Sequence, residues 1–73
     1  MRLGNLPLGQ VVTILTLSGP RAVRRRLQEL GLVPGTCVSI VGRSPLGDPM
    51  ELEARGSRLS IRKKEALGIE VTP

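Results

Sequence analysis

The sequence predicts a mainly β domain with one short helix, closed or nearly closed into a small barrel. Three observations carry this. Five short stretches rich in Val, Ile, Leu and Thr are separated by Gly and Pro turns. One helix, ended by a glycine cap, interrupts them early. The 73 residues include no Phe, Tyr or Trp, so the core must be aliphatic. That suits β-branched strands packed around a narrow interior. Closure would remove edges that so short a chain cannot otherwise cover.

Leu3, Leu6 and Leu8 lead in, and Pro7 and Gly9 fix a turn. Residues 10–17 read as the first strand. They alternate poorly, which predicts partial cover on both faces. Gly19 is a modest N-cap and Pro20 a good first helical residue, so a helix is expected over 20–30. Val23, Leu27 and Leu30 recur at i, i+4 and i+7 and form its apolar stripe. Arg21, Arg24, Arg25 and Gln28 take the opposite face. Arg26 flanks the stripe, where its aliphatic stem can cover apolar surface.

The helix stop is the most fully specified segment. Gly31 suits the left-handed residue of a Schellman cap, and Leu32 then packs back on Leu27. Pro34 forbids the helix from resuming. Residues 36–43 form the second strand, with Val38 and Ile40 on one face and Cys37, Ser39 and Val41 on the other. Cys37 is expected as a small core thiol. Residues 50–55 alternate cleanly, with Met50, Leu52 and Ala54 inward and Glu51, Glu53 and Arg55 outward.

Gly56-Ser57 fits a two-residue II′ turn into a fourth strand over 58–62. That turn would set Glu51 opposite Arg62 and Leu52 opposite Ile61. Residues 63–67 form one helical turn stopped by Gly68. A last strand over 69–71 points Ile69 and Val71 inward.

Composition narrows the function. The length allows one domain, residues 1–73. There is no histidine, so the commonest general base near neutral pH and the usual zinc ligand are both absent. The lone Cys37 permits no internal disulfide. No nucleophile–base pair is visible, so an enzyme is disfavoured and no cofactor is expected. The net charge is +5, from 11 Lys and Arg against 6 Asp and Glu. This favours acidic partners: a protein face, anionic lipid or phosphate. A small basic β-barrel binding nucleic acid is the alternative reading. The missing aromatic platforms and the acidic third strand weigh against nucleic acid. The same lack of aromatics counts against a domain that reads Pro-rich peptides. The first residues lack the apolar stretch of a signal peptide, and a reduced, cytoplasmic setting is expected.

Three segments together carry a family resemblance: Arg-Leu-Gln-Glu-Leu-Gly-Leu-Val-Pro-Gly over 26–35, Pro-Leu-Gly-Asp-Pro over 45–49, and Leu-Ser-Ile-Arg-Lys-Lys-Glu-Ala over 59–66. In that order and at those spacings the chain resembles the ferrous iron transport protein A family, FeoA. The resemblance implies an SH3-like small β-barrel. It also implies a cytoplasmic accessory that binds and modulates a membrane ferrous iron permease with a GTPase domain. Iron(II) sites normally add histidine to carboxylates, and none stands beside Asp48, Glu51 and Glu53, so the iron is expected to pass through the partner and not through this chain.

Two surfaces are candidates for contact. Arg21, Arg24 and Arg25 form a basic helix face for an acidic partner or an anionic membrane surface at the inner face of the bilayer. Leu46, Gly47 and Asp48 lie in a proline-bounded loop. Pro, Gly and Asp are explained by the turn itself, with Asp48 capping it. Leu46 is not, and is expected to point outward. Leu32 is expected half exposed beside Leu46. Two exposed loop leucines would equally suit a homo-oligomer contact.

Overall fold

The computed structural model describes Met1–Pro73. In chain order it contains β1 (Val12–Leu17), α1 (Arg21–Glu29), β2 (Cys37–Arg43), β3 (Met50–Ala54), β4 (Ser57–Ile61), α2 (Lys63–Ala66) and β5 (Ile69–Thr72). A 3-10 turn over Leu3–Asn5 precedes β1. All strands join one antiparallel sheet of order β4-β3-β2-β1-β5. The sheet curls into a small SH3-like barrel, but no ladder joins β4 to β5, so closure by hydrogen bonds is incomplete.

Curling comes from two irregularities. The β1–β5 register shifts between Ile14 and Thr16, and the β2–β3 register shifts between Ile40 and Gly42. A bulge inserts one residue and sharpens the local bend and twist. The first bulge explains the poor alternation of β1. Val12 and Ile14 are buried, whereas Val11 and Leu15 are exposed. The expectation of cover on both faces is therefore corrected: the irregular pattern records an extra residue, not a second packed layer.

The interior is aliphatic with Met50 and two alanines, and Leu3 and Leu6 enter it from the amino-terminal segment. Leu8 does not; it is exposed. Cys37 is also exposed, which corrects its expected place in the core. Val38 and Ile40 take the inner face of β2, and strand alternation sends Cys37 outward, with Sγ 3.9 Å from Thr13 Oγ1.

The β3–β4 hairpin turns one residue earlier than the sequence suggests. Ala54 pairs with Ser57 and Leu52 with Leu59, so Arg55-Gly56 is the two-residue loop. Arg55 has φ 55 and Gly56 φ 76, the left-handed pair of a I′ turn. The register consequently moves by two residues. Leu59 and Ile61 still face inward, but Glu51 sits opposite Ser60 and not Arg62.

Candidate interaction surface

Helix α1 starts without a side-chain cap, with Pro20 as the flanking residue. Its end is the Schellman arrangement that the sequence specifies. The Leu32 N–H donates to Leu27 O and the Gly31 N–H to Gln28 O, both at 2.9 Å, with Gly31 at φ 86. Leu27 is the one fully buried side chain of α1, Val23 packs partly, and Leu30 lies at the margin. Leu32 is wholly buried beneath the cap. Its expected role as a half-exposed contact is corrected: the cap that orders it also removes it from the surface.

A second tie holds α1. Arg26 donates to Glu65 Oε2 of α2. The other Glu65 oxygen accepts the Arg62 backbone N–H at 2.9 Å. The Arg26 hydrogen bond holds the Glu65 carboxyl below the usual carboxylate range; burial opposes this, and the Arg62 N–H and nearby positive charge reinforce it. Arg26 thus departs from the snorkelling role, since its guanidinium is fixed on a neighbouring element.

With Arg26 turned to α2, Arg21, Arg24 and Arg25 remain on the outer face. They line, with Gln28, a shallow basin of about 350 Å³. Arg25 also approaches Glu29 at 3.8 Å, but both side chains are well exposed. Such a pair contributes little to stability and leaves the cation available. No residue of the 45–49 loop lines this basin, so the two expected surfaces do not merge into one hollow.

The loop is rigidly built. The Gly47 N–H donates to Ser44 O at 2.8 Å, with Gly47 at φ 85. Ser44 Oγ donates to Asp48 O at 2.6 Å and accepts the Asp48 N–H at 3.0 Å. The Asp48 side chain does not cap its own turn. Its Oδ1 accepts the Lys63 N–H at 3.0 Å, so the carboxylate ties the loop to the first residue of α2. Leu46 at the tip is 94% exposed.

Local sequence pattern misses these cross-links. The sequence distance between Asp48 and Lys63 is 15 residues and between Arg26 and Glu65 is 39. One hint exists: Glu65 stands three residues after Arg62, the spacing of a carboxylate that reaches back to a helix start. Elsewhere, no group of three or more Cys, His, Asp or Glu is placed to hold a metal ion. No helix is long and apolar enough to cross a membrane.

The FeoA domain model matches residues 1–73. The chain belongs to the FeoA family. A FeoA protein of Chlorobium tepidum, solved in solution, superposes with a TM-score of 0.92 at 40% identity, covering 99% of this chain and 69% of that one. The zinc complex of Stenotrophomonas maltophilia FeoA, described as an SH3 domain protein and candidate ferrous iron transport activating factor, superposes at 0.83. It is 32% identical over 97% of this chain and 88% of its own. A Porphyromonas gingivalis protein, a fusion of Fe(2+) transport protein A with the Fe(2+) transporter FeoB, is 34% identical over 71 residues. The match takes in 97% of this FeoA chain but only 8% of the fusion protein.

Proposed function

We propose that this chain is a non-enzymatic accessory of a GTP-dependent, FeoB-type ferrous iron permease, and that it acts by direct contact at the cytoplasmic face. The single observation that carries this reading is the Porphyromonas gingivalis fusion, which joins an equivalent domain to the transporter in one polypeptide. Covalent linkage gives two modules a high effective concentration, an arrangement that suits partners which work in contact.

The chemistry of the chain agrees. It offers no histidine, no aromatic platform and no cluster of three metal-ligating residues. It does offer an unpaired basic face at Arg21 and Arg24, extended by Arg25, and a rigid loop with an exposed leucine. On this reading the arginine face meets an acidic surface of the permease, and the Leu46 loop supplies an apolar anchor. Electrostatic attraction of this kind speeds encounter and fixes orientation.

The test is co-purification of the permease from membranes with the tagged chain, with and without guanine nucleotide. The wild type retains the permease. The triple variant Arg21→Glu, Arg24→Glu, Arg25→Glu keeps its fold and loses it. Equal recovery with both proteins would remove the arginine face from the reading, and no recovery with either would remove the permease. Steep loss of affinity for a DNA duplex with rising salt, at the same arginines, would favour nucleic acid in its place.

A further inference from the structure

The two edges of the sheet are treated differently. The outer edge of β5 is occupied by the amino-terminal segment: Arg2 bridges Glu70, and the Val71 N–H donates to Met1 O at 2.7 Å. Glu70 also accepts the Met1 ammonium at 2.6 Å. The edge at β4 has no such cover. Ala54 pairs with Ser57, Leu52 with Leu59 and Met50 with Ile61 across the hairpin. Residues flanking a two-residue turn exchange the ladder hydrogen bonds, so these pairs face each other. The alternate residues, Arg58 and Ser60, therefore aim their N–H and C=O groups away from β3. No other strand pairs with β4, and no loop or cap bond uses these groups.

This open window has defined ends. At one end is the Arg55-Gly56 turn. At the other, the Arg62 N–H is taken by Glu65, and Arg62 O accepts the N–H groups of Glu65 and Ala66. Between them lie two donors and two acceptors on consecutive outward-directed residues, the pattern that an added strand requires.

Charge selects what can be added. On the outer face, β3 presents Glu51 and Glu53, and β4 presents Arg58, with Arg62 just past its end. Glu53 lies opposite Arg58, and Glu51 approaches it diagonally at 3.7 Å. The face thus runs from an acidic row to a basic row. A second copy of this chain added antiparallel through this window would pair Arg58 with the other copy's Ser60, which sets Arg58 diagonal to that copy's Arg58 and Arg62, within reach of such long side chains, and so gathers like charge along the seam. An acidic strand would continue the alternation. The β3 carboxylates would then stand two strand spacings away, about 10 Å, where physiological salt screens them.

We propose that the β4 edge takes up an extended acidic segment of a partner as a sixth strand. Its main chain bonds to Arg58 and Ser60, and its carboxylates lie beside Arg58 and Arg62. The inference requires only that the chain acts by contact. It stands whether or not the partner is an iron permease, because its test uses a synthetic peptide.

The experiment titrates the full chain with an extended peptide of alternating valine and glutamate, followed by amide chemical shifts and hydrogen exchange. The expected result is shift changes at Arg58 and Ser60 with at least tenfold slower exchange of those two amides. The double variant Arg58→Glu, Arg62→Glu binds at least tenfold more weakly, and a valine–lysine peptide does not bind. A valine–glutamate peptide methylated on alternate backbone nitrogens keeps every charge and loses binding; this control needs no change to the protein. Unchanged amides at Arg58 and Ser60 would overturn the proposal. So would equal binding of the methylated peptide, shifts confined to α1, or protection of the edge by protein concentration alone.

Discussion

Glu65 shows how much one side chain can connect. It receives Arg26 from α1 and the Arg62 N–H from the start of α2, while its side chain is only 11% exposed. Replacing it by Gln removes the ion pair and weakens both hydrogen bonds. Bonds to charged groups contribute about 1.5–3 kcal/mol when well desolvated. Arg26 is half exposed, so the expected loss for Glu65→Gln is nearer the low end, about 1–1.5 kcal/mol. The pH dependence has a definite sign. The folded carboxyl titrates below its unfolded value, so its contribution is complete above the ordinary carboxylate range and fades as pH falls through the lower folded value. Urea midpoints of wild type and variant should therefore differ at pH 7 and converge at strongly acidic pH. A gap that stays constant to pH 2 would exclude the ionised pair as its source.

Gly68 is constrained by space. A Cβ there would lie 2.6 Å from Ser18 O. The same two residues are bound by the Ser18 N–H and Oγ, which donate to Gly68 O at 2.8 and 3.0 Å. Backbone is on both sides, so nothing soft can yield. Gly68→Ala is expected to cost about 1–3 kcal/mol, the range for overpacking, and to separate the end of β1 from α2. Thermal melting checks the first statement, and exchange of the Ser18 amide checks the second.

Among the elements, the β3–β4 hairpin carries a local conflict that can be relieved. Arg55 occupies the first position of a I′ turn with φ 55, where a non-glycine residue other than Asn or Asp costs about 1–2 kcal/mol. Against this, its guanidinium donates to Thr36 Oγ1 at 3.3 Å, a long bond from an exposed residue and worth at most about 0.5–1 kcal/mol. The strain outweighs the bond. Arg55→Asn should raise stability by about 0.5–1 kcal/mol with the register unchanged, read as a higher urea midpoint at constant slope. A lower midpoint would show that the Thr36 bond dominates.

The same hairpin shows where sequence reasoning reaches and where it stops. Strand identity and facing were legible, because alternation in Met50–Ala54 is a local signal and survives a two-residue slip. The turn position was not, because Gly56 serves equally as the first residue of a II′ loop or the second of a I′ loop. The α1 stop was legible in full, since Gly31, Leu32 and Pro34 each have one conformational reason to be there. The fate of Leu32 and Cys37 was not. Both depend on which face the assembled sheet covers, and no window of neighbouring residues contains that information. The arginine face was readable from helical period, whereas the anchoring of Asp48 on Lys63 required the fold.

For the molecule as a whole, the proposed function asks how a barrel with so few chemical groups would gain specificity for a partner. Net charge of +5 attracts any acidic surface and cannot by itself select one. In the proposed contact the rigid loop is the element suited to supply what charge lacks. Leu46 is 94% exposed, yet the turn beneath it is fixed by Ser44, Gly47 and Asp48, and Asp48 is in turn fixed on α2. An anchor already held in place loses little entropy on binding. Leu46→Asp should therefore leave the melting temperature within about 1 °C of wild type, since no buried contact is removed. It should weaken permease retention at least tenfold, the scale expected when a buried apolar anchor is replaced by a charge. The effect should persist at high salt, whereas that of the arginine substitutions should shrink as screening removes the attraction they act on. Retention measured for both variants across a salt series separates the two contributions. If Leu46→Asp binds like wild type at every salt concentration, the loop is a connector only, and recognition rests on the charged surfaces.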